Sequence, residues 1–250
     1  MTPPEQETAV SVNVNKPPVE TVAQSHPPLL GFSEDNTAAV TGINTATGNG
    51  VLGKGTNGDG IHGESSGGNV SGVAGIHTGG GKGVYGSSSG YAGFFDGNVQ
   101  VNGKMTVTGD IFLPGADCAE QFDSVGGQMI DPGTLVVIDE NGALAESQKP
   151  YDCKVAGVVA GAGTYRPGIV LDKQPTETHR VVISLMGKAY CKVDAAYGEI
   201  EIGDLLTSSP SAGYAMKASD REKAFGTIVG KALRPLACGK GIIPILIALQ

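Results

Sequence analysis

Between residues 31 and 90 one short unit returns at a nearly fixed interval. The unit is Gly-[Val/Ile]-x-Gly: Gly50-Val51-Leu52-Gly53, Gly60-Ile61-His62-Gly63, Gly72-Val73-Ala74-Gly75 and Gly83-Val84-Tyr85-Gly86. A variant, Ala39-Val40-Thr41-Gly42, opens the series, and the starts at 39, 50, 60, 72 and 83 are 11, 10, 12 and 11 residues apart. A β-branched residue between glycines, followed by Ser, Thr, Asn or Asp, is a strand-and-turn period. It is not collagen, because Gly does not fall at every third place. One such unit cannot bury its single Val or Ile. Either units stack along one chain, or several chains wrap so that these residues meet on a common axis. Three chains supply three apolar residues per layer, and flanking Gly lets backbones approach closely. A trimeric shaft is therefore expected over 31–90, of β-helix or β-prism type.

Composition supports a thin core in this half. The 250 residues include 40 Gly, no Trp and only 5% aromatics. A net charge of −8 argues against nucleic acid and against an anionic membrane surface as partners. No basic segment followed by an apolar run opens the chain, so no secretory signal is visible. The longest apolar run, 241–249, is too short to span a bilayer and contains Pro244. It reads as a terminal buried strand.

Residues 1–30 are Pro-rich, with Pro-Pro at 3–4, 17–18 and 27–28, and are expected to be an attachment arm or a disordered tail. A short alternation, Val10-Ser11-Val12-Asn13-Val14, suits a strand added to a partner. Residues 91–114 change character. Tyr91 to Gly97 concentrates aromatics, and Asn98-Val99-Gln100-Val101 and Met105-Thr106-Val107 alternate, which predicts a β neck of two or three strands. Fibrous homotrimers of phage tails and bacterial adhesins are similar to this arrangement.

Residues 115–250 read as a compact all-β domain. Strands are expected at 134–138, 143–145, 155–160, 168–171, 181–186, 188–193, 224–233 and 242–249, with one helical turn at most near Ser219. Two portions share a plan at an offset of about 70 residues. Ile202-Gly203-Asp204-Leu205-Leu206 and the later Ala224 to Gly230 repeat the pattern of Pro132-Gly133-Thr134-Leu135-Val136 and Val155 to Gly161. An internally duplicated β domain is expected.

The candidate chemistry lies at the junction, Leu113-Pro114-Gly115-Ala116-Asp117-Cys118-Ala119-Glu120, where two carboxylates stand three residues apart after a Pro-Gly turn. Read plainly, these are turn carboxylates accepting backbone N–H groups. The segment 115–120, with the later Tyr151 to Val159, resembles the peptidase G2 (intramolecular chaperone) family of phage neck-appendage proteins over roughly 113–235. The resemblance implies self-cleavage after Ala116, before Asp117, with Glu120 as the required carboxylate. A carboxyl group held against its own main chain has a high effective concentration for such chemistry, and burial at a trimer interface is expected to raise its pKa. Cys118 stands where the family has an aromatic. A Cys118–His pair is not expected, because the histidines are His26, His62, His77 and His179, and only His179 lies in this half.

The four cysteines, Cys118, Cys153, Cys191 and Cys238, show no close pair, so neither a zinc site nor any cofactor is expected. They read as buried reduced thiols, with disulfides left open. His62 and His77 read as solvent-facing, the alternative being an ion bound on a trimer axis. The function expected is a structural homotrimeric fibre or spike subunit of a phage tail, contractile injection system or adhesin. Its arm would meet a baseplate, tail or cell-surface protein, and its location would be a virion, an injection particle or a cell surface. Any enzymatic activity is at most autoproteolytic. A tip that binds glycan or receptor is the other class left open.

Overall fold

The structure, a computed structural model, describes residues 30–35, 37–174 and 179–249. The arm and its alternation at residues 10–14 lie outside the described residues. The chain divides into two units, residues 1–100 and 101–250.

In the first unit the described residues form neither strand nor helix. Successive units meet through glycine instead. A Cβ at Gly42 would lie 2.5 Å from both the Gly50 carbonyl oxygen and Val51 Cγ2. The same contact recurs at Gly63 against Gly72 and Val73, at 2.5 Å, and at Gly75 against Gly83 and Val84, at 2.6 Å. No side chain fits between these backbones. The repeat apolar residues nevertheless stay in solvent: Val40, Val51, Ile61, Val73 and Val84 are 64% to 77% exposed. Contact between neighbouring units of one chain therefore does not bury them. His77 Nδ1 accepts from the N–H groups of Gly79 and Gly81, and His62 lies 3.4 Å from Asp59 and 3.9 Å from Glu64.

The expected neck strands do not form. Residues 91–112 carry no strand, and Val99, Val101, Met105, Val107 and Ile111 are exposed. A strand needs a ladder partner, and among the described residues these alternating segments pair in no ladder. The shaft units lack strands for the same reason.

The second unit is all-β. Its strands are β1 (Asp117–Asp123), β2 (Leu135–Ile138), β3 (Leu144–Glu146), β4 (Val155–Val159), β5 (Pro167–Leu171), β6 (Arg180–Asp194), β7 (Leu205–Ser208), β8 (Ala215–Lys217), β9 (Ile228–Ala232) and β10 (Lys240–Ala248). Beside two 3-10 turns, Val125–Gly127 and Ala195–Tyr197, the short helix α1 (Arg221–Ala224) is capped by the Asp220 side chain rather than by Ser219. The segments 181–186 and 188–193 are one strand, because Gly187, at φ +105°, carries β6 through the middle without breaking it.

β6 is shared by two rings of strands. Its first half pairs with β1 and β4, and the series runs on through β2 to β3, which an isolated parallel bridge between Ser124 and Leu144 joins back to the end of β1. Its second half pairs with β10, and that series runs through β9 and β7 to β8, which returns to β6 by the parallel pair Val193–Ala215. The two closures correspond, and so do the register shifts, after Val136 in β2 and after Leu206 in β7. This is the internal duplication in three dimensions. Val136, Leu144, Ala156, Val159, Val181 and Ile183 form one core cluster. Cys191, Val193, Leu206, Val229, Ile243 and Ile245 belong to a larger one, which Leu135 and Val158 join from the first ring. Strand alternation explains how adjacent residues such as Leu135 and Val136 serve different clusters.

Candidate functional site

The junction is not the surface turn that its Pro-Gly signal suggests. From Asp117 onward it is β1, parallel to β5 on one edge and antiparallel to β6 on the other. Asp-Cys-Ala-Glu has no β-branched residue, so propensity gave no hint of a strand. Tertiary pairing supplies what propensity lacks.

β6 holds the junction peptide closely. The Ala116 carbonyl accepts from the Lys188 N–H at 3.2 Å, and the Ala116 N–H donates to the Arg166 carbonyl at 2.8 Å. Gly187 faces this peptide. A Cβ there would come within 2.6 Å of the Ala116 oxygen and 3.0 Å of Asp117 Cα, and its φ of +105° also disfavours any L side chain. Beside the junction lies a groove of about 280 Å³ whose lining includes Leu113, Ala116, Cys118, Ile169 and Met186.

Asp117 is 8% exposed, and the Ser184 hydroxyl donates to its Oδ2. Its Oδ1 is buried without a hydrogen-bond partner. Burial pushes the Asp117 carboxyl above the usual carboxylate range, against the opposing pull of the Ser184 hydroxyl and of its own backbone N–H. This burial arises within one chain and needs no second subunit. Glu120 stands apart from it. Along β1 the buried residues are Asp117 and Ala119, while Cys118 and Glu120 are half-buried on the other face. Glu120 pairs with Ile183, a residue of the smaller core cluster. The structure thus brings Asp117 together with Ser184, and does not bring Asp117 and Glu120 to one face. Ser184 was hidden inside the apolar run 181–186; a lone hydroxyl in such a run was the one signal available.

An elevated pKa has a stability consequence. The folded chain binds the Asp117 proton more tightly than the unfolded chain does. Stability is therefore lost as pH rises from the ordinary carboxylate range through the raised value. Asp117→Asn keeps an acceptor for Ser184 and cannot ionise. Thermal melts from pH 3 to pH 8 are expected to show the variant gaining on the wild type as pH rises. A constant difference across that range would contradict the buried-acid assignment.

Around the site, Arg180 ties the strands together. Its guanidinium donates to the Gln121 carbonyl and to Asp172 Oδ2, at 2.8 and 2.6 Å, and lies 3.4 Å from Asp123. That bond holds the Asp172 carboxyl below its ordinary range. The cysteines are free thiols, and only Cys191 is fully buried, with its pKa pushed up to about 12 by burial. Cys118 is half-buried and Cys153 and Cys238 are exposed, so the expectation of four buried thiols is corrected for these three. Cys153 and Cys238 stand in turns outside the strands, and Cys118 lies on the less buried face of β1. Among the described residues no helix is long and apolar enough to cross a membrane.

These features define an all-β domain of two fused strand rings, preceded by glycine-packed repeats. No protein-family model matches the chain, and no curated protein matches it. Among solved structures it is similar to the pre-mature bacteriophage phi29 gene product 12, at 17% identity and a TM-score of 0.44, over 59% of this chain and 24% of that one. The gene product 12 C-terminal fragment matches at 18% identity and a TM-score of 0.35, over 53% and 100% of the two chains. The head fiber gp8.5 N base of phi29 matches at 17% identity and a TM-score of 0.24, over 53% and 90%. The chain thus spans about a quarter of the length of pre-mature gene product 12. At these TM-scores the functional reading rests on the chain's own residues.

Proposed function

We propose that the chain is a subunit of a homotrimeric, β-rich fibre of a phage tail, contractile injection system or adhesin. The observation that carries this reading is the exposure of every repeat Val and Ile from Val40 to Val84, beside a C-terminal domain that closes its own core. Leaving such a series of apolar side chains in water is unfavourable by about 1–2 kcal/mol per residue, and the described residues of a single chain do not cover them. Three chains in register cover them along a common axis. The glycine contacts fit that geometry, because they keep the backbone thin where the chains converge. In this reading the C-terminal domain brings three chains into register, and the arm at residues 1–30 meets a baseplate, tail or cell-surface protein. The particle belongs on a virion, an injection apparatus or a cell surface.

Native mass spectrometry of freshly purified full-length protein tests this. The expected species is three chains. A folded monomer at micromolar concentration overturns the reading.

A second reading, self-cleavage of the peptidase G2 kind between Ala116 and Asp117, is favoured by one observation: the buried Asp117 carboxyl stands beside that peptide, whose carbonyl oxygen is already held by the Lys188 N–H. Denaturing mass analysis of the same sample would show a fragment beginning at Asp117, and Asp117→Asn would abolish it.

A further inference from the structure

Three residues of one strand address one peptide. The Lys188 N–H holds the Ala116 carbonyl, Gly187 leaves room for the peptide to lie against the strand, and the Ser184 hydroxyl holds the Asp117 carboxyl. Ser184 is fully buried, and its ladder partners are Ala119 of β1 and Val158 of β4. Asp117, Ala119, Ser184 and Val158 are all buried. A buried carboxyl and hydroxyl there cost stability relative to a packed apolar pair, and the partnerless Oδ1 adds to that cost. Neither residue belongs to the domain's two apolar clusters. A polar pair kept at such a place, touching the one peptide that the junction sequence singles out, points to chemistry.

We infer that Ser184 is a positioning residue for hydrolysis of the Ala116–Asp117 peptide, orienting the Asp117 carboxyl group toward its own amide nitrogen. The inference rests on the self-cleavage reading and goes beyond it by naming a residue that the junction motif does not contain. In the step proposed, the oxygen of a water molecule bonds to the Ala116 carbonyl carbon. The neutral Asp117 carboxyl gives its proton to the Asp117 nitrogen as the carbon–nitrogen bond breaks. The released water proton returns to the Asp117 carboxylate. The products are a carboxyl terminus at Ala116 and an α-amine at Asp117, and the acid ends as it began. The donation requires the neutral acid, and burial favours that form. The Lys188 N–H withdraws charge at the carbonyl oxygen throughout.

Among the described residues the surroundings offer the acid no competing charge. β5 carries no charged side chain, and neither do residues 184–187 of β6. On β1, Glu120 lies on the opposite face. Lys188 sends its ammonium over the Tyr165 ring, 5.2 Å from its centroid, and Arg166 donates to the Gly163 and Tyr165 carbonyls.

The test uses the full-length chain and follows, by intact mass, the fragment beginning at Asp117 from pH 4 to pH 9. Ser184→Ala is expected to slow its appearance about tenfold or more at neutral pH, as loss of alignment does. It is also expected to move the alkaline limb of the rate profile upward, because the hydroxyl that stabilised the ionised carboxylate is gone. Ser184→Thr, which keeps the hydroxyl, is expected to retain the wild-type limb. A merely structural role would slow the reaction without moving the limb. A wild type that cuts beside a Ser184→Ala chain with the same rate and limb overturns the inference and leaves the self-cleavage reading standing. A wild type that never cuts, at any pH in the range, overturns both. Should Ser184→Ala not fold, Ser184→Cys, which fills the same space with a weaker donor, decides: an alkaline limb moved upward supports the role, and a wild-type limb overturns it.

Discussion

Gly157→Ala and Gly230→Ala are each expected to destabilise the chain by about 3 kcal/mol, since each introduces a clash with backbone, to which Gly157 adds local strain. At Gly157 a Cβ would stand 2.6 Å from the Ser184 carbonyl oxygen, and the φ of +149° suits no L side chain. At Gly230 a Cβ would run into the Leu246 carbonyl oxygen and lie 3.0 Å from Ile247 Cα. The obstacle in both cases is backbone in a central ladder, which cannot swing aside as a side chain can. The two glycines hold matching places, in β4 against β6 and in β9 against β10. Guanidinium unfolding of the full-length chain measures this, with Gly103→Ala as the reference because nothing lies within 4 Å of it. Unfolding free energies for all three variants within about 0.5 kcal/mol of wild type would mean that the close approach of these strands is not what the domain depends on.

The second large effect concerns assembly. The triple substitution Val51→Asp, Ile61→Asp and Val73→Asp is expected to abolish the three-chain species and leave the C-terminal domain folded. In one chain these residues are 65% to 67% exposed, and changes at such sites alter monomer stability by only about 0.5 kcal/mol. On a trimer axis each Asp would sit beside two others without water. Each such layer would cost several kcal/mol, or force its carboxyls to take up protons. The readout is native mass beside the circular dichroism of the same samples. A trimer that survives all three aspartates would place these residues away from any subunit interface.

The sequence made the domain's strands and its duplication legible for a simple physical reason. Apolar runs separated by Gly, Pro and Asn turns leave little choice but strands, and the runs around Leu135 and Leu205 repeat the same plan. Two things were not legible. β1 contains Asp117, Cys118, Ala119 and Glu120, which carry no strand preference, and it becomes a strand only because β5 and β6 offer free edges on both sides. The neck failed in the opposite sense. Val99, Val101 and Val107 have the propensity and the alternation, but among the described residues no ladder takes them up. At the candidate site, Asp117 stood out by its motif. Ser184 did not, because a contact across 67 residues of chain leaves no trace in local spacing.

The place of β1 between two strands bears on how the molecule carries force. Tension arriving through Ala116 pulls on the first residue of a strand anchored along both edges, with Arg180 pinning its far end to Asp123 and to the Gln121 carbonyl. Such a strand resists drawing out as a whole and cannot be peeled one bond at a time from a free edge. A break in the chain at Ala116 would end that tension at a stroke while leaving every ladder of the domain in place. The same residue would then be both the point where mechanical load enters the domain and the point where it can be let go.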